Sequence, residues 1–597
     1  MKKRLSCLLL SILMVALCFT GCAEKTSAEV LEKIGEEASA GAVMLSMYLM
    51  SEEPVSEEQE LAMEAAVNAI TEKEFKVRLD LRYYTADEYY TKLDADLARM
   101  TEYYDGEAIG KEKEEPVYTD EDGLPITYYP PVEDFDVDIF YLGGYDKYLA
   151  YKNAGYIRNM TTEIEGSAKS IKAVVNTNLL EQVRALNGSY DIVPVNRAIG
   201  EYTYILVNKE VLKGTQYSAN EITSLAGENC QDLLSIVSQM YADKYVPLKS
   251  YTGELDVLGV KYFGVDSNGF FTDDFSVIAG TYNSAWEYGK AGSYPTMSAI
   301  TDTADNGNLS ALEQIKVLKG YELAGYYGTE EDADKPFAVG YIKGGLEVID
   351  QYSDEYEVIP VAMPTLTTED IYEHAFAISE DTNSVLKSAE ILAYLNTNED
   401  FRNLILYGIE NENYIWVDAV DENGTPILDE NGHTYKVVSR ITDKADRLYV
   451  MDLYKTGNTT IAYPEVGTNP RANEYALKQN QDIVLDYTLG FTLYQASFKD
   501  LGEVDLTAIK ELRAYSADIY NKILSAKTEA ILNAAIAELE ELVAGKDALA
   551  VLGDSAKIDA GEEGTEEEVP QPDKSVVAYY NEWLTNMGLI EVPEETV

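Results

Sequence analysis

Ala42-Val43-Met44-Leu45-Ser46-Met47-Tyr48-Leu49 is a mostly apolar run of strand length. A helically spaced stretch follows from Ser56 to about Thr71, and then Lys76-Val77-Arg78-Leu79-Asp80-Leu81-Arg82-Tyr83, which alternates polar and apolar side chains. Thr85 opens a second helix that reaches about Met100. Two strands, each followed by a helix, predict a mainly parallel sheet covered by helices, since a parallel pair needs a long crossover to return the chain. Ser56 is a natural N-cap, with Glu58 or Gln59 in the first turn.

Outward from this unit the rhythm is broken at 101–134 by acidic, Tyr-rich and Pro-rich text, read as a surface insertion, and resumes with a strand over Asp136–Tyr141 and a helix starting near Asp146. Further strands are expected at Tyr202–Asn208, Val257–Phe263, Pro336–Ile342, Val358–Ala362 and Phe376–Ser379. The repeated turn text Asp421-Glu422-Asn423-Gly424 and Asp429-Glu430-Asn431-Gly432 predicts a hairpin over Gly424–Val438. Residues from about Pro470 to Val543 read as helical. An acidic, Pro-containing linker occupies 553–574, and a last amphipathic helix covers about Ser575–Met587.

A chain of 597 residues, 46% hydrophobic, has room for two or more cores. Its net charge of -58, with no basic stripe, argues against nucleic acid as a partner. Only two histidines, His374 and His433, are present, which excludes a three-imidazole metal site and leaves few positions for a His general base. No GxSxG elbow, HExxH, P-loop or dinucleotide fingerprint occurs and no cofactor is expected; absent motifs do not exclude activity, since two of the 105 carboxylates would suffice for glycoside hydrolysis, but nothing singles out a pair. The nearest approach to a metal loop, Asp302 to Gly307 with Glu313, has Ala304 where a calcium loop needs oxygen, and reads better as a turn before a helix over Leu309–Leu323.

The N-terminus carries Lys2, Lys3 and Arg4, an apolar run from Leu8 to Phe19, and Phe19-Thr20-Gly21-Cys22. This pattern resembles a bacterial lipoprotein signal: residues 1–21 would be removed, Cys22 lipidated, and 22–40 left as a flexible tether. An extracytoplasmic body, anchored to the outer face of the cell membrane by lipid alone, is the expected location. Beyond the signal and the anchor only Cys230 remains, so no intrachain disulfide is expected.

The chain has 47 tyrosines against 13 Phe and 3 Trp. Rings with a polar tip suit surfaces that are apolar on one side and wet on the other, as in a carbohydrate site. In Gly143-Gly144-Tyr145-Asp146, directly after a strand, glycine lets backbone approach a ligand, Tyr145 offers a ring, and Asp146 is either a helix N-cap or a ligand contact. Trp286 and Trp416 are cleft platforms or core residues.

The text DVDIFYLGGYDKYLAYKNAGYI at Asp136–Ile157 resembles the extracellular solute-binding proteins of carbohydrate ABC importers, the maltose-binding type of family 1. The block from Asn187 to Leu212, ending in Asn208-Lys209, is similar to that family's inter-lobe crossing strand, and Pro336–Pro364 and Ser379–Tyr414 are similar to later blocks in the same order. The resemblance implies an α/β, two-lobed periplasmic-binding-protein-like fold (type II), with mixed sheets flanked by helices and a ligand cleft between lobes. Lobe 1 would comprise 41–200 plus 375–420, and lobe 2 would comprise 201–374 plus 450–597. It further implies an oligosaccharide ligand, ABC permease transmembrane subunits as partners, a monomer, and no catalysis. By matching positions the implied contacts are Asp146, Lys147, Glu201, Tyr241, Tyr245, and the loop Tyr341–Gly345 with Lys343 where the family often carries Trp; for Glu201 a hinge salt bridge is the plain alternative. Rival readings are a surface glycan-binding or glycoside-hydrolysing lipoprotein, which two carboxylates would suffice to build, and the same fold binding a peptide or other polar solute.

Overall fold

The computed structural model describes residues 42–544 apart from 109–116, 120–124, 128–133, 251–259, 266–270, 282–296, 302–308, 487–505 and interruptions of up to three residues. The signal, the tether, Cys22, Trp286, the acidic linker and the helix expected at Ser575–Met587 lie outside the described residues. The principal elements of the first part are β1 (Val43–Ser51), α1 (Glu57–Phe75), β2 (Val77–Thr85), α2 (Ala86–Ala108), β3 (Ile139–Leu142), α3 (Tyr145–Ala154) and β4 (Ile192–Pro194). Then come β5 (Tyr202–Asn208), α4 (Glu228–Met240), β6 (Val246–Ser250), α5 (Ala311–Leu323), β7 (Phe337–Gly344), β8 (Tyr356–Ala362) and β9 (Ala375–Ile378). The chain continues through α6 (Val385–Thr397), α7 (Glu399–Tyr407), β10 (Tyr414–Asp418), β11 (Lys436–Arg440), α8 (Ala472–Gln479), α9 (Leu506–Ser525) and α10 (Glu529–Val543).

Two mixed sheets organise the molecule. The first has the order β2-β1-β3-β9-β4, with β1 parallel to β2 and β3, and β9 antiparallel to both its neighbours. The second has the order β8-β5-β7-β6, with β7 antiparallel to β5 and parallel to β6. Insertion of the late strand β9 between β3 and β4 means that the chain leaves the first sheet, builds the second, and returns, which is the type II arrangement. Sequence patterning follows position in the sheet. Central β1 is buried along almost its whole length, as a strand covered on both faces must be, whereas edge strand β2 alternates buried and half-buried residues and ends on a half-buried run. Ser56 caps α1 by accepting from the Gln59 N–H.

Two large cores correspond to the two sheets. One draws on residues from Val43 to Ile199 and from Leu366 to Tyr407; the other runs from Ile205 to Val361 and closes with Leu512–Val543 from α9 and α10. Lys319, fully buried on α5, bonds the Leu524 carbonyl at the end of α9 at 2.5 Å, a cation on a helix C-terminus that fixes the C-terminal helices to the second core. The segment 449–483 departs from the expected division. Tyr449, Met451, Ala462 and Ile483 pack into the first core, because a polar loop with buried Thr456, Asn458 and Thr460 is bonded to Asn396 and Asn196 of that lobe.

Of the interruption at 101–134, α2 takes residues up to Ala108 and Val117–Thr119 pairs with Pro125–Thr127. The expected hairpin is longer than the sequence predicts. β10 pairs with β11, and within it lie two turns in which Asp421 and Asp429 each accept two backbone N–H groups while Gly424 and Gly432 take φ of +80°.

Candidate functional site

The chain passes between the two cores at 200–204, at 362–365 and after Ile483, and the segments at and beside these crossings are bonded to one another. Asn480 accepts from the Ile199 N–H at 3.1 Å and donates to the Arg197 carbonyl at 2.7 Å, and Gln479 donates to the carbonyls of Ile199 and Gly200 at 3.0 and 2.6 Å. Tyr202 donates to Asp482 at 2.6 Å. A short parallel ladder joins Thr365–Leu366 to Val484–Leu485. Arg197 bridges Asp370 and Glu373 at 3.0 and 2.5 Å, and Asp370 also closes a capping box with Thr367 beside the second crossing. Side-chain amides and one guanidinium therefore bind together the segments beside the three connections that join two separately cored lobes.

In open α/β sheets the groups after the carboxyl ends of parallel strands face the ligand crevice. In the first sheet that edge carries Glu52 after β1, Tyr83 and Tyr84 at the end of β2, and Gly143 to Tyr145 after β3. Because β9 runs antiparallel, with Ala375 opposite Leu142, its preceding residue His374 lies on the same edge. The Tyr141 hydroxyl makes a 2.7 Å hydrogen bond with His374 Nδ1, and the imidazole stacks on Tyr454 with ring centroids 5.1 Å apart and 14° between planes. Burial lowers the His374 pKa below the ordinary imidazole value, with the Glu373 carboxylate opposing and Arg197 adding to the shift. Burial likewise raises the Tyr141 hydroxyl. Lys455 pairs with Glu52 at 3.0 Å and Asp452 at 3.3 Å, so the 452–455 turn is tied to the end of β1. The edge is aromatic, polar and internally charge-paired, suited to hydrogen bonding and stacking.

The residues singled out in the sequence are distributed unevenly. Tyr145 to Lys147 do follow β3. The Tyr145 ring packs on Tyr148 and Tyr372, Asp146 is exposed, and Lys147 lies 4.5 Å over the Tyr90 ring and 3.5 Å from Asp94. The α3 N-cap is Gly144, without a side-chain cap bond, and Asp146 lies inside the first turn. Glu201 is exposed at the first crossing, and Lys343 stands opposite Thr203 at the crossing end of the second sheet. Tyr341, 2% exposed, belongs to the second core. Tyr241 and Tyr245 precede β6, whose Val246 pairs with Phe337, and β7 reaches the crossing only at Gly344 opposite Tyr202; both tyrosines thus sit at the far end of that sheet and pack on its core. Strand direction, which spacing alone does not reveal, separates them from the crossing.

Trp416 lies on β10 against Tyr463, 4.8 Å between centroids, and His433 is on the exposed hairpin turn. Glu313 forms a capping box with Ser310, which commits its carboxylate to the start of α5, while the turn expected at Asp302 to Gly307 lies outside the described residues. Among the described residues no group of three or more His, Cys, Asp or Glu could hold a metal ion. A shallow depression lined by Arg158, Thr161, Gly188 and Glu380 lies at the opposite edge of the first sheet, where Ile157 bridges Ser379. Sequence reading did not find Arg197, His374 or Tyr454. The scarcity of histidine was the one available signal, and Tyr454 had none.

No family model matches the chain, and no curated protein sequence does. Among solved structures it is similar to an N-glycan transport solute binding protein from Streptococcus pneumoniae, at 15% identity and TM-score 0.45, covering 84% of this chain and 100% of that one. It is similar also to an extracellular solute-binding protein family 1 member from Alicyclobacillus acidocaldarius, at 11% identity and TM-score 0.37 over 84% and 98% of the two chains. The sugar-binding protein MalE from Xanthomonas citri matches at 11% identity and TM-score 0.32 over the same shares.

Proposed function

We propose that this chain is the lipid-anchored substrate-binding protein of a carbohydrate ABC importer, capturing an oligosaccharide by closing its two lobes and handing it unchanged to the permease transmembrane subunits. The observation that carries the reading is the hinge: three crossings clipped together by Gln479, Asn480 and Arg197, beside a sheet edge built of Tyr141, His374 and Tyr454. Ligand that touches both lobes more favourably when they are shut shifts the population to the closed form. Cys22 is the lipidated residue, the body is extracytoplasmic on the outer face of the cell membrane, and the protein acts as a monomer.

Closure is checked by small-angle scattering with maltotriose, cellotriose, mannotriose and N-acetylchitotriose. A bound sugar is expected to contract the radius of gyration, and at 100-fold excess over Kd to add about 2.7 kcal/mol of stability. Binding with an unchanged scattering profile defeats the hinge mechanism, and release of shorter sugars would replace it with glycoside hydrolysis. Cys22→Ser in the full-length precursor is expected to move the protein from the membrane to the soluble fraction; retention on the membrane refutes the anchor.

A further inference from the structure

We propose that the Tyr454 ring, backed by His374, is the platform on which the first lobe receives a neutral pyranose ring. This assigns a specificity-determining residue and rests on the oligosaccharide-binding reading above.

Tyr454 is 41% exposed although one face of its ring is covered by the His374 imidazole. The part of the ring left open to solvent has polar groups around it and can stack on the C–H face of a sugar. The ring is also held in place. Its own N–H bonds Asp452 Oδ1 at 2.6 Å, Lys455 ties the turn to Glu52 and Asp452, and Glu52 donates its N–H to the Val450 carbonyl at 2.9 Å. Behind it, His374 is oriented by the Tyr141 hydroxyl. A ring fixed before the ligand arrives loses little freedom on binding.

Charge around the platform selects against ions. Lys455 is spent on Glu52 and Asp452, and Arg197 on Asp370 and Glu373, so the cations within this cluster are matched by carboxylates. An anionic uronate would have to desolvate beside those carboxylates without a cation to compensate, whereas a neutral sugar presents C–H groups to the ring and hydroxyls to the surrounding polar groups.

Titration calorimetry of the wild type, Tyr454→Ala and Tyr454→Phe with the four neutral trisaccharides and with trigalacturonate tests the assignment. Tyr454→Ala is expected to weaken the bound neutral sugar by about tenfold or more, and Tyr454→Phe to restore affinity to within about threefold of wild type. Tyr454→Ala gives up only the stacking on His374, about 1 kcal/mol, so both variants should melt within about 2 °C of the unliganded wild type, which excludes unfolding as the cause. Unchanged affinity in Tyr454→Ala overturns the platform and leaves the importer reading standing. Trigalacturonate binding more tightly than every neutral sugar overturns the selectivity. A wild-type protein that binds none of the five overturns the oligosaccharide reading and the platform with it.

Discussion

Gly200→Ala is expected to destabilise the protein by about 3 kcal/mol or more and to lower the melting transition by about 3 °C or more. Two independent costs combine. Gly200 has φ of +58°, a left-handed conformation that alanine adopts at a cost of about 1–2 kcal/mol. An added Cβ would also lie 2.7 Å from the Thr365 carbonyl oxygen and 2.8 Å from its nitrogen. Those are backbone atoms of a strand paired with Val484–Leu485, so they cannot swing aside as a flexible side chain would. The Gly200 carbonyl is meanwhile held by Gln479, so the strain falls where all three crossings meet. Gly155→Ala is the control: it is left-handed at φ of +78° and ψ of +22°, but nothing lies within 4 Å of the added carbon, so it carries the conformational cost alone. Scanning calorimetry showing Gly200→Ala no less stable than Gly155→Ala would refute the close approach of the first and second crossings.

Asp138→Ala is the second large effect, a loss of about 3 kcal/mol. Asp138 is fully buried just before β3. One carboxylate oxygen accepts from the Thr382 hydroxyl at 2.6 Å and the Asn383 N–H at 2.8 Å, the other from the Ser46 N–H at 2.7 Å. Alanine leaves these donors with no acceptor in a place water does not reach. The same carboxyl gives a pH signature. Burial raises its pKa to about 6, against the lowering effect of the bonds from Thr382, Ser46 and Asn383. In the unfolded chain it titrates near 3.9. Between about pH 4 and 6 the folded protein therefore binds more protons at this site than the unfolded chain, so this group's contribution to stability is greatest below pH 4 and falls as pH rises through 6, by about 3 kcal/mol. Urea denaturation of wild type and Asp138→Asn at pH 4.0 and 6.5 isolates it, since other carboxylates cancel in the difference. A wild type that does not lose stability relative to the variant across that interval contradicts the assignment.

Much of the architecture was legible because its causes are local. The crossing strand expected at Tyr202–Asn208 is β5 at those residues, and Ser56 caps α1, since a run of buried β-formers and an N-cap oxygen act on neighbours within a few positions. The loop after β3 was found because a glycine pair after an apolar run has few other uses; Gly143 packs against Tyr141 and Tyr90, and Gly144 takes a positive φ. Tyr241 and Tyr245 were grouped with the cleft by matching positions in the family resemblance. Their distance from it follows from β6 running parallel to β7, a pairing that brings Val246 beside Phe337 across 91 positions of chain.

Taken by itself, the sequence determined the alternation of strands and helices, the caps that begin them, and the excess of tyrosine over the other aromatics, because each depends on residue type or on spacing within one element. Only the tertiary structure decided that β9 enters between β3 and β4, that 449–483 joins the first core, and that His374 meets Tyr141 and Tyr454. Those outcomes depend on contacts between residues scores to hundreds of positions apart, where burial of whole surfaces, not local propensity, selects one lateral order from many.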